Sequence, residues 1–404
     1  QYTSLDECIA IALAQAPSIK LAEATQQASK AELNSAHKDL LPVLSAGYTY
    51  NRQFYEGSPF FPVDDNYFAY SLQIEQPLYK GKSLVTGVRI GELQLQSSEL
   101  SYTSSVNDLV LQVKQAYFAH LKNLKLEEVA RQAIVQLQSH LKDSQAFYEA
   151  GLIPKNDMLQ SEVQLSQGQL DYLQAQNASE LSRASLNLLM GRAATEELLL
   201  RDYTVTEPVQ VEWDSLLSQS LSQRPELITA KTAVEIAEND KVLVEAPYLP
   251  DVSVTASYLK QGYDFFAENY EAQSNEVKQA QLNLSWRFWS WGQNNDKMAA
   301  ASARKLQAEK QLAQLVDNVT LQARDAYLNL QRARKNIEAT LAAVDQAEEN
   351  YRINNARYQT QLNTSTQVLD AQNLLSRARA NYYSSIYDFA YATARIDWVT
   401  GKPY

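Results

Sequence analysis

Three histidines, His37, His120 and His140, and one cysteine, Cys8, leave little for metal or triad chemistry in 404 residues. A lone cysteine excludes an intrachain disulfide and any multi-cysteine metal site. The sequence contains no Gly-rich phosphate loop, no HExxH and no nucleophile elbow. His120 and His140 fall in a long helical stretch, where surface or interhelix packing is the ordinary role. Cys8 falls on an apolar helix face and reads as a buried, inert thiol. Three methionines beside three histidines do not favour a soft-metal route. No catalytic, cofactor-binding or metal-ligating set is therefore expected, and no enzyme. What remains is charge. With 36 Lys+Arg against 47 Asp+Glu the net charge is −11, which argues against nucleic acid. Two carboxylates, Asp157 and Asp370, each stand just after a turn, where the bland reading is a helix-start residue.

The elements that would position these residues occur twice. Leu13-Ala-Gln-Ala-Pro17 matches Leu221-Ser-Gln-Arg-Pro225, and the same register pairs Asp6 with Asp214, Leu41-Pro42 with Leu249-Pro250 and Tyr50 with Tyr258. Two residues further out of register, Leu72 pairs with Leu282, Ala116-Tyr117 with Ala326-Tyr327, Tyr148 with Tyr358, Leu159 with Leu369 and Gly191 with Gly401. The shift falls between Gln53 and Leu72, where a surface loop tolerates it. The chain thus reads as repeat 1 (1–191), a connector (192–213, with Pro208) and repeat 2 (214–404).

Each repeat predicts the same order. A helix (18–40; 226–246) ends at Leu-Pro. Two strands follow (43–53 and 67–76; 251–261 and 277–288), then a long helix (84–147; 296–357) and a return helix (156–190; 365–400). The long helices are inferred from the absence of breakers: no glycine lies between Gly91 and Gly151, or between Gly292 and Gly401. The first hairpin turns at Gly151 and Pro154. Its counterpart, Thr360-Gln-Leu-Asn-Thr364, has neither glycine nor proline, and only the repeat locates it.

The strands alternate with period two. Tyr48, Tyr50, Phe68, Tyr70, Leu72, Leu282, Leu284 and Trp286 fall on apolar faces, opposite Ser, Thr, Gln and Asn. Such faces suit either a small sandwich packed on a protein core or a transmembrane barrel with lipid outside and water inside. Aromatic residues crowd the strand ends (Tyr67, Phe54, Tyr55, Phe288, Trp289, Trp291 among them), as in an interfacial girdle. No run of apolar residues is long enough for a spanning helix. Four strands cannot close around a lumen, so a barrel requires oligomers: eight strands as a dimer, twelve as a trimer or sixteen as a tetramer.

The order helix, strand, strand, long helix, return helix, twice over, resembles the TolC family of outer-membrane channel proteins. The residues that carry the resemblance span nearly the whole chain: Leu5-Asp-Glu-Cys-Ile-Ala-Ile-Ala-Leu-Ala-Gln-Ala-Pro17, Gln76-Pro-Leu-Tyr-Lys-Gly81, Tyr148-Glu-Ala-Gly-Leu152, Leu186-Asn-Leu-Leu-Met-Gly191 and Val368-Leu-Asp-Ala-Gln372. The resemblance implies an internally duplicated α+β membrane protein, a homotrimer with a 12-stranded β-barrel continued by a long α-helical barrel, and an equatorial belt holding the connector. It implies a Gram-negative outer membrane, with lipid around the barrel and a large periplasmic portion. The function implied is the exit duct of a tripartite efflux pump or type I secretion system. Its partners would be a periplasmic adaptor and an inner-membrane transporter of RND, ABC or MFS type. A lipid anchor is not expected, since residue 1 is Gln. The alternatives are a periplasmic coiled-coil scaffold and, less consistent with two repeats, an adaptor.

The resemblance also implies a gate at the hairpin turns. The family's acidic positions match Gln367 and Asp370, and the repeat sets Asp157 opposite Gln367. Three copies of Asp157 and Asp370 would ring a constriction and prefer cations. Tyr358 matches a tyrosine that helps lock the family's closed end, while the neighbouring arginine is replaced by Asn363.

Overall fold

The structure, a computed structural model, describes residues 2–52, 66–203, 211–268 and 275–402. Gln53, Phe54, Tyr55 and Pro208, and most of the two expected strand-to-strand loops, lie outside the described residues. The chain forms two compact units. One comprises Gln1–Glu23, Leu100–Ile228 and Gln314–Tyr404; the other comprises Ala24–Glu99 and Thr229–Ala313. Each unit draws on residues from both sides of the expected divisions at 191 and 214.

The elements in order are α1 (Leu5–Gln15), α2 (Pro17–Lys38), β1 (Val43–Arg52), β2 (Asn66–Lys80), α3 (Ser83–Glu149), α4 (Lys155–Leu189), α5 (Trp213–Gln223), α6 (Pro225–Glu245), β3 (Asp251–Gly262), β4 (Glu276–Ser285), α7 (Gln293–Gln359) and α8 (Ser365–Val399). Helices α3 and α7 have 67 residues each, about 100 Å at ~1.5 Å per residue. The short helices α1 and α5 are absent from the sequence-based order. Helix α1 is opened by a capping box in which Ser4 and Glu7 satisfy each other's backbone N–H.

In the first unit, α1 and α5 do equivalent work. Cys8, Ile9 and Ala12 of α1 pack with Leu109, Val113, Tyr117, Leu186 and Met190. Leu216 of α5 packs with Ala323, Ala326, Leu330, Phe389 and Val399. The glycines that end the return helices close against these short helices. A Cβ on Gly191 (φ +71) would lie 3.1 Å from the Cβ of Gln15, and one on Gly401 (φ +70) 2.9 Å from the Gln223 carbonyl carbon.

In the second unit the sheet order is β1-β2-β3-β4, antiparallel throughout. Directly opposed residues share a face. The pairs Tyr48↔Tyr70, Tyr50↔Phe68, Ala46↔Leu72, Leu72↔Tyr258, Val254↔Leu282 and Val252↔Leu284 therefore gather most apolar strand residues onto one side, with Lys260 and Lys278 near its end, while Leu259↔Val277 falls on the other. Ser45↔Gln73, Thr255↔Gln281 and Ser253↔Asn283 form the other. Both outer strands, β1 and β4, are exposed along their whole length. The second strand is longer than expected, because it passes Pro77, which has no N–H for the ladder, by a register shift between Pro77 and Tyr79. The fourth is shorter: β3 begins at Asp251, whose partner is Ser285, so the ladder has no further partner. Trp286, expected within the strand, lies one residue past it and donates its indole N–H to the Tyr248 carbonyl (3.0 Å).

The two longest helices, α3 and α7, end in the same way. The bonds Leu152 N–H to Phe147 O (2.8 Å) and Gly151 N–H to Tyr148 O (2.9 Å) form a Schellman motif, and Leu362 to Arg357 O (2.8 Å) with Gln361 to Tyr358 O (2.9 Å) repeats it. The left-handed residue is Gly151 (φ 73) in one turn and Gln361 (φ 61) in the other. A side chain in that conformation costs about 1 kcal/mol or more. Gln361→Gly is expected to raise the denaturant midpoint of the folded protein by an amount equivalent to about 1 kcal/mol, and Gly151→Gln to lower it similarly. Unchanged midpoints for both would show that the turns carry no such strain.

Candidate functional site

The residues expected at the gate lie where the hairpins α3/α4 and α7/α8 turn. Tyr358 is buried near the end of α7, and its ring lies 4.8 Å from that of His140 and 5.4 Å from that of Phe147. Its hydroxyl meets Ser144 Oγ at 2.8 Å. From there a network of hydroxyls crosses four helices. Ser144 of α3 bonds Ser161 of α4 (3.1 Å), Ser161 bonds Ser365 of α8 (3.2 Å), and Ser365 bonds His140 Nε2 of α3 (2.8 Å). Ser161 Oγ donates to the Asp157 carbonyl (3.1 Å). All five side chains are at most 3% exposed. Burial pushes the Tyr358 hydroxyl above its ordinary pKa and the His140 imidazole below its own.

The proton directions follow from counting donors. Ser161 spends its proton on Asp157 O, so Ser144 and Ser365 donate to Ser161, and Tyr358 donates to Ser144. Ser365 has then no proton left for His140, whose Nε2 must be the N–H donor. Every hydroxyl in the cluster is satisfied, but His140 Nδ1 is left as a buried lone pair without a partner among the described residues.

On the surface of the same region α4 meets α8 through Gln160 and Thr366 (3.2 Å) and through Gln164 and Asn373 (3.2 Å). Asp370 is exposed on α8, and Asp157 occupies the first turn of α4. No bond among the described residues joins the two carboxylates. Gln367, expected with Asp370 at the constriction, caps its own helix: its Oε1 accepts from Thr364 N–H (3.0 Å). Asn363 donates to Asn354 Oδ1 (2.7 Å) across the turn. Gly151 is the left-handed turn residue, and Pro154 is the N-cap of α4.

Of this network the sequence resemblance marks only Tyr358. The visible signal was four-residue spacing: His140 and Ser144 share one face of α3. The serines of α4 and α8 reveal themselves only once the hairpins are packed. His120 is also buried, with Nδ1 3.0 Å from Ser182 Oγ; burial and the Arg183 guanidinium hold it down to about 4. Cys8 is fully buried, which pushes its thiol up to about 11.

Of the strand positions expected to face lipid, Tyr48, Tyr50, Leu72, Leu282, Leu284 and Trp286 are exposed. Phe68 and Tyr70 are partly covered, because Phe265 lies against Phe68 and Tyr48 while its carbonyl accepts from the Tyr70 hydroxyl (2.7 Å). Among the described residues no helix is long and apolar enough to cross a membrane, and no group of side chains could hold a metal ion.

Comparison with known proteins agrees with the architecture. The outer-membrane channel OprN superposes with a TM-score of 0.87 over 98% of this chain and 89% of its own, at 15% identity. The open state of the Neisseria gonorrhoeae MtrE outer membrane channel gives 0.80 over 98% and 88%, at 19% identity. Outer membrane protein TolC of Salmonella enteritidis is 21% identical over 394 residues, which is 95% of this chain and 79% of the relative. The alkaline protease secretion protein AprF of Pseudomonas aeruginosa is 22% identical over 346 residues, 84% of this chain and 71% of the relative. The sequence model of the outer membrane efflux proteins matches residues 8–192 and 216–402, the two repeats in turn. Proteins of this kind are trimeric channels that work with an adaptor and an inner-membrane transporter. The chain belongs to the outer membrane efflux protein family and is an outer-membrane exit duct for efflux or secretion, not an enzyme.

Proposed function

We propose that three copies of this chain close a 12-stranded barrel in the outer membrane, and that the hairpin turns of α3/α4 and α7/α8 form its periplasmic gate. The observation that carries the reading is the sheet: one face that gathers Tyr48, Tyr50, Leu72, Val254, Leu282 and Leu284, a second, mostly polar face, and two outer strands each with one open edge. Unpaired backbone groups are intolerable in hydrocarbon, and β4 of one protomer against β1 of the next removes both edges. Outer-membrane lipid then covers Tyr48, Tyr50, Leu72, Leu282 and Leu284, and Trp286 sits at the headgroup level. The polar side lines the passage.

At the gate, Tyr358 holds α7 to α3, and Ser161 with Ser365 holds α4 to α8. This supports a closed state in which the two hairpins of each protomer are clasped. Asp370 and Asp157 supply the charge near the constriction, while Gln367 and Asn363 shape the turn that presents them. The duct is fed through a periplasmic adaptor by an inner-membrane transporter of RND, ABC or MFS type.

The protein is expected to run as a trimer of about three chain masses in detergent; a monomer stable in plain buffer would sink the barrel reading. Leu72→Arg should impair membrane insertion by roughly 2–4 kcal/mol, and Ser71→Arg by much less. Equal effects would contradict the assignment of faces. In planar bilayers, Asp370→Ala should reduce cation preference and divalent block. A larger effect of Asp157→Ala would place the constriction on the first hairpin, and no effect of either would place selectivity elsewhere.

A further inference from the structure

We propose that His140 is a proton-sensitive latch, which clasps hairpin α3/α4 to hairpin α7/α8 while neutral and releases it when protonated. The inference rests on the reading that parting of these hairpins opens the duct. Its basis is the arrangement of the ring. Nε2 is committed as a donor to Ser365, the residue through which α8 joins the network. Nδ1 is buried with no donor or acceptor beside it among the described residues. A second proton can land only on Nδ1. It would create a cation whose new N–H has no acceptor, in a side chain 3% exposed. The closed packing cannot meet that demand, whereas parted hairpins would let water do so.

Each element packed on the ring brings groups of its own. Its own helix brings Asp143, whose carboxylate favours the charged form. Helix α7 brings the Tyr358 ring at 4.8 Å, and its Tyr351 feels the same Asp143. Helix α4 brings Ser161 and Asp157; the Asp157 carboxylate acts on Tyr358, and its carbonyl is occupied by Ser161. Helix α8 brings the Ser365 hydroxyl. Burial outweighs the Asp143 field, so the imidazole is held below its ordinary value in the closed state. The sign follows. A histidine with a depressed value in the closed state and an ordinary one in the open state binds more protons when open. The closed state therefore loses stability as pH falls below about 6.5, and the loss levels off once pH is below the closed-state value.

The test uses the intact trimer in planar bilayers, with conductance read as the periplasmic side is taken from about pH 7.5 to about pH 5. Conductance should rise, by at most about tenfold per pH unit for each latch released. His140→Gln, which keeps a donor for Ser365 but cannot titrate, should abolish the rise; heat-stable trimers of the variant would confirm assembly. Asp143→Asn, which removes the charge that favours the protonated ring in the closed packing, should enlarge the acid response. A bifunctional thiol crosslinker joining Gln160→Cys to Thr366→Cys, which clamps α4 to α8, separates the two readings. If the clamp abolishes the acid response and His140→Gln does not, the gate stands and the latch is overturned. If His140→Gln abolishes it and the clamp does not, His140 senses protons but the gate lies elsewhere. A wild-type protein with no acid response overturns the latch outright.

Discussion

A peptide group in hydrocarbon has no water to turn to, and that single fact governs the sheet of this protein. The sheet has four strands and two open edges, and each unpaired N–H or C=O in lipid would cost several kcal/mol. The alternation of side chains is a response to the same solvent. It works only because the register sets Ala46 against Leu72 and Val254 against Leu282. A slip of one residue between β1 and β2 would set Leu72 against Ser45 or Gly47 and mix the two faces. Local devices protect the register where the ladder is weakest. The chain steps over Pro77 by a shift rather than a break, and Phe265 covers the aromatic end of β1 and β2.

The helical part answers a different problem. Its long hairpins are wet on much of their surface and cannot rely on a thick core, so adhesion is concentrated at a few sites. At one end of the first unit, α1 and α5 plug equivalent gaps with Cys8, Ile9 and Leu216. At the hairpin turns, small hydroxyl side chains replace hydrophobes, and the helices approach closely enough for Ser144, Ser161 and Ser365 to touch. A buried hydrogen-bonded cluster gives less net stability than packed leucine of the same volume, but it is intolerant of partial occupation. It is either complete or broken, a property better suited to a clasp than to a glue.

Much of this was legible in the sequence because duplication provides an internal control. The turn at Gln361 has no glycine or proline, yet its register with Gly151 located it, and both prove to be the left-handed residue of a Schellman motif. Helices α1 and α5 were missed because each runs into the next helix across a single residue, Ala16 or Arg224, before Pro17 or Pro225. The end of β4 was misjudged because Trp286 and Phe288 continue the alternation after the partner strand has run out. Gln367 looked like a lost acidic residue; its amide caps α8, a local role that spacing cannot distinguish from a role at the axis. The four-helix network was invisible for a more basic reason. Serine is unremarkable in any one helix, and only tertiary packing makes three of them neighbours.

The join between β2 and β3 has one further consequence. Tyr67 and Gln261 bond across it at 2.6 Å although they are 194 residues apart in the chain. The two outer ladders, by contrast, are hairpins of near neighbours. Contacts between distant segments form late, because the entropy of closing the intervening chain must be met before they contribute. Between those two strands lie α3, α4, α5 and α6, so the central ladder waits on synthesis and compaction of the first helical hairpin. Each β-hairpin must persist meanwhile with an apolar face and a bare edge, which is the condition in which strands aggregate. The meeting of its two halves in the sheet is therefore the long-range step in the folding of this molecule, the one that carries the largest cost of chain closure.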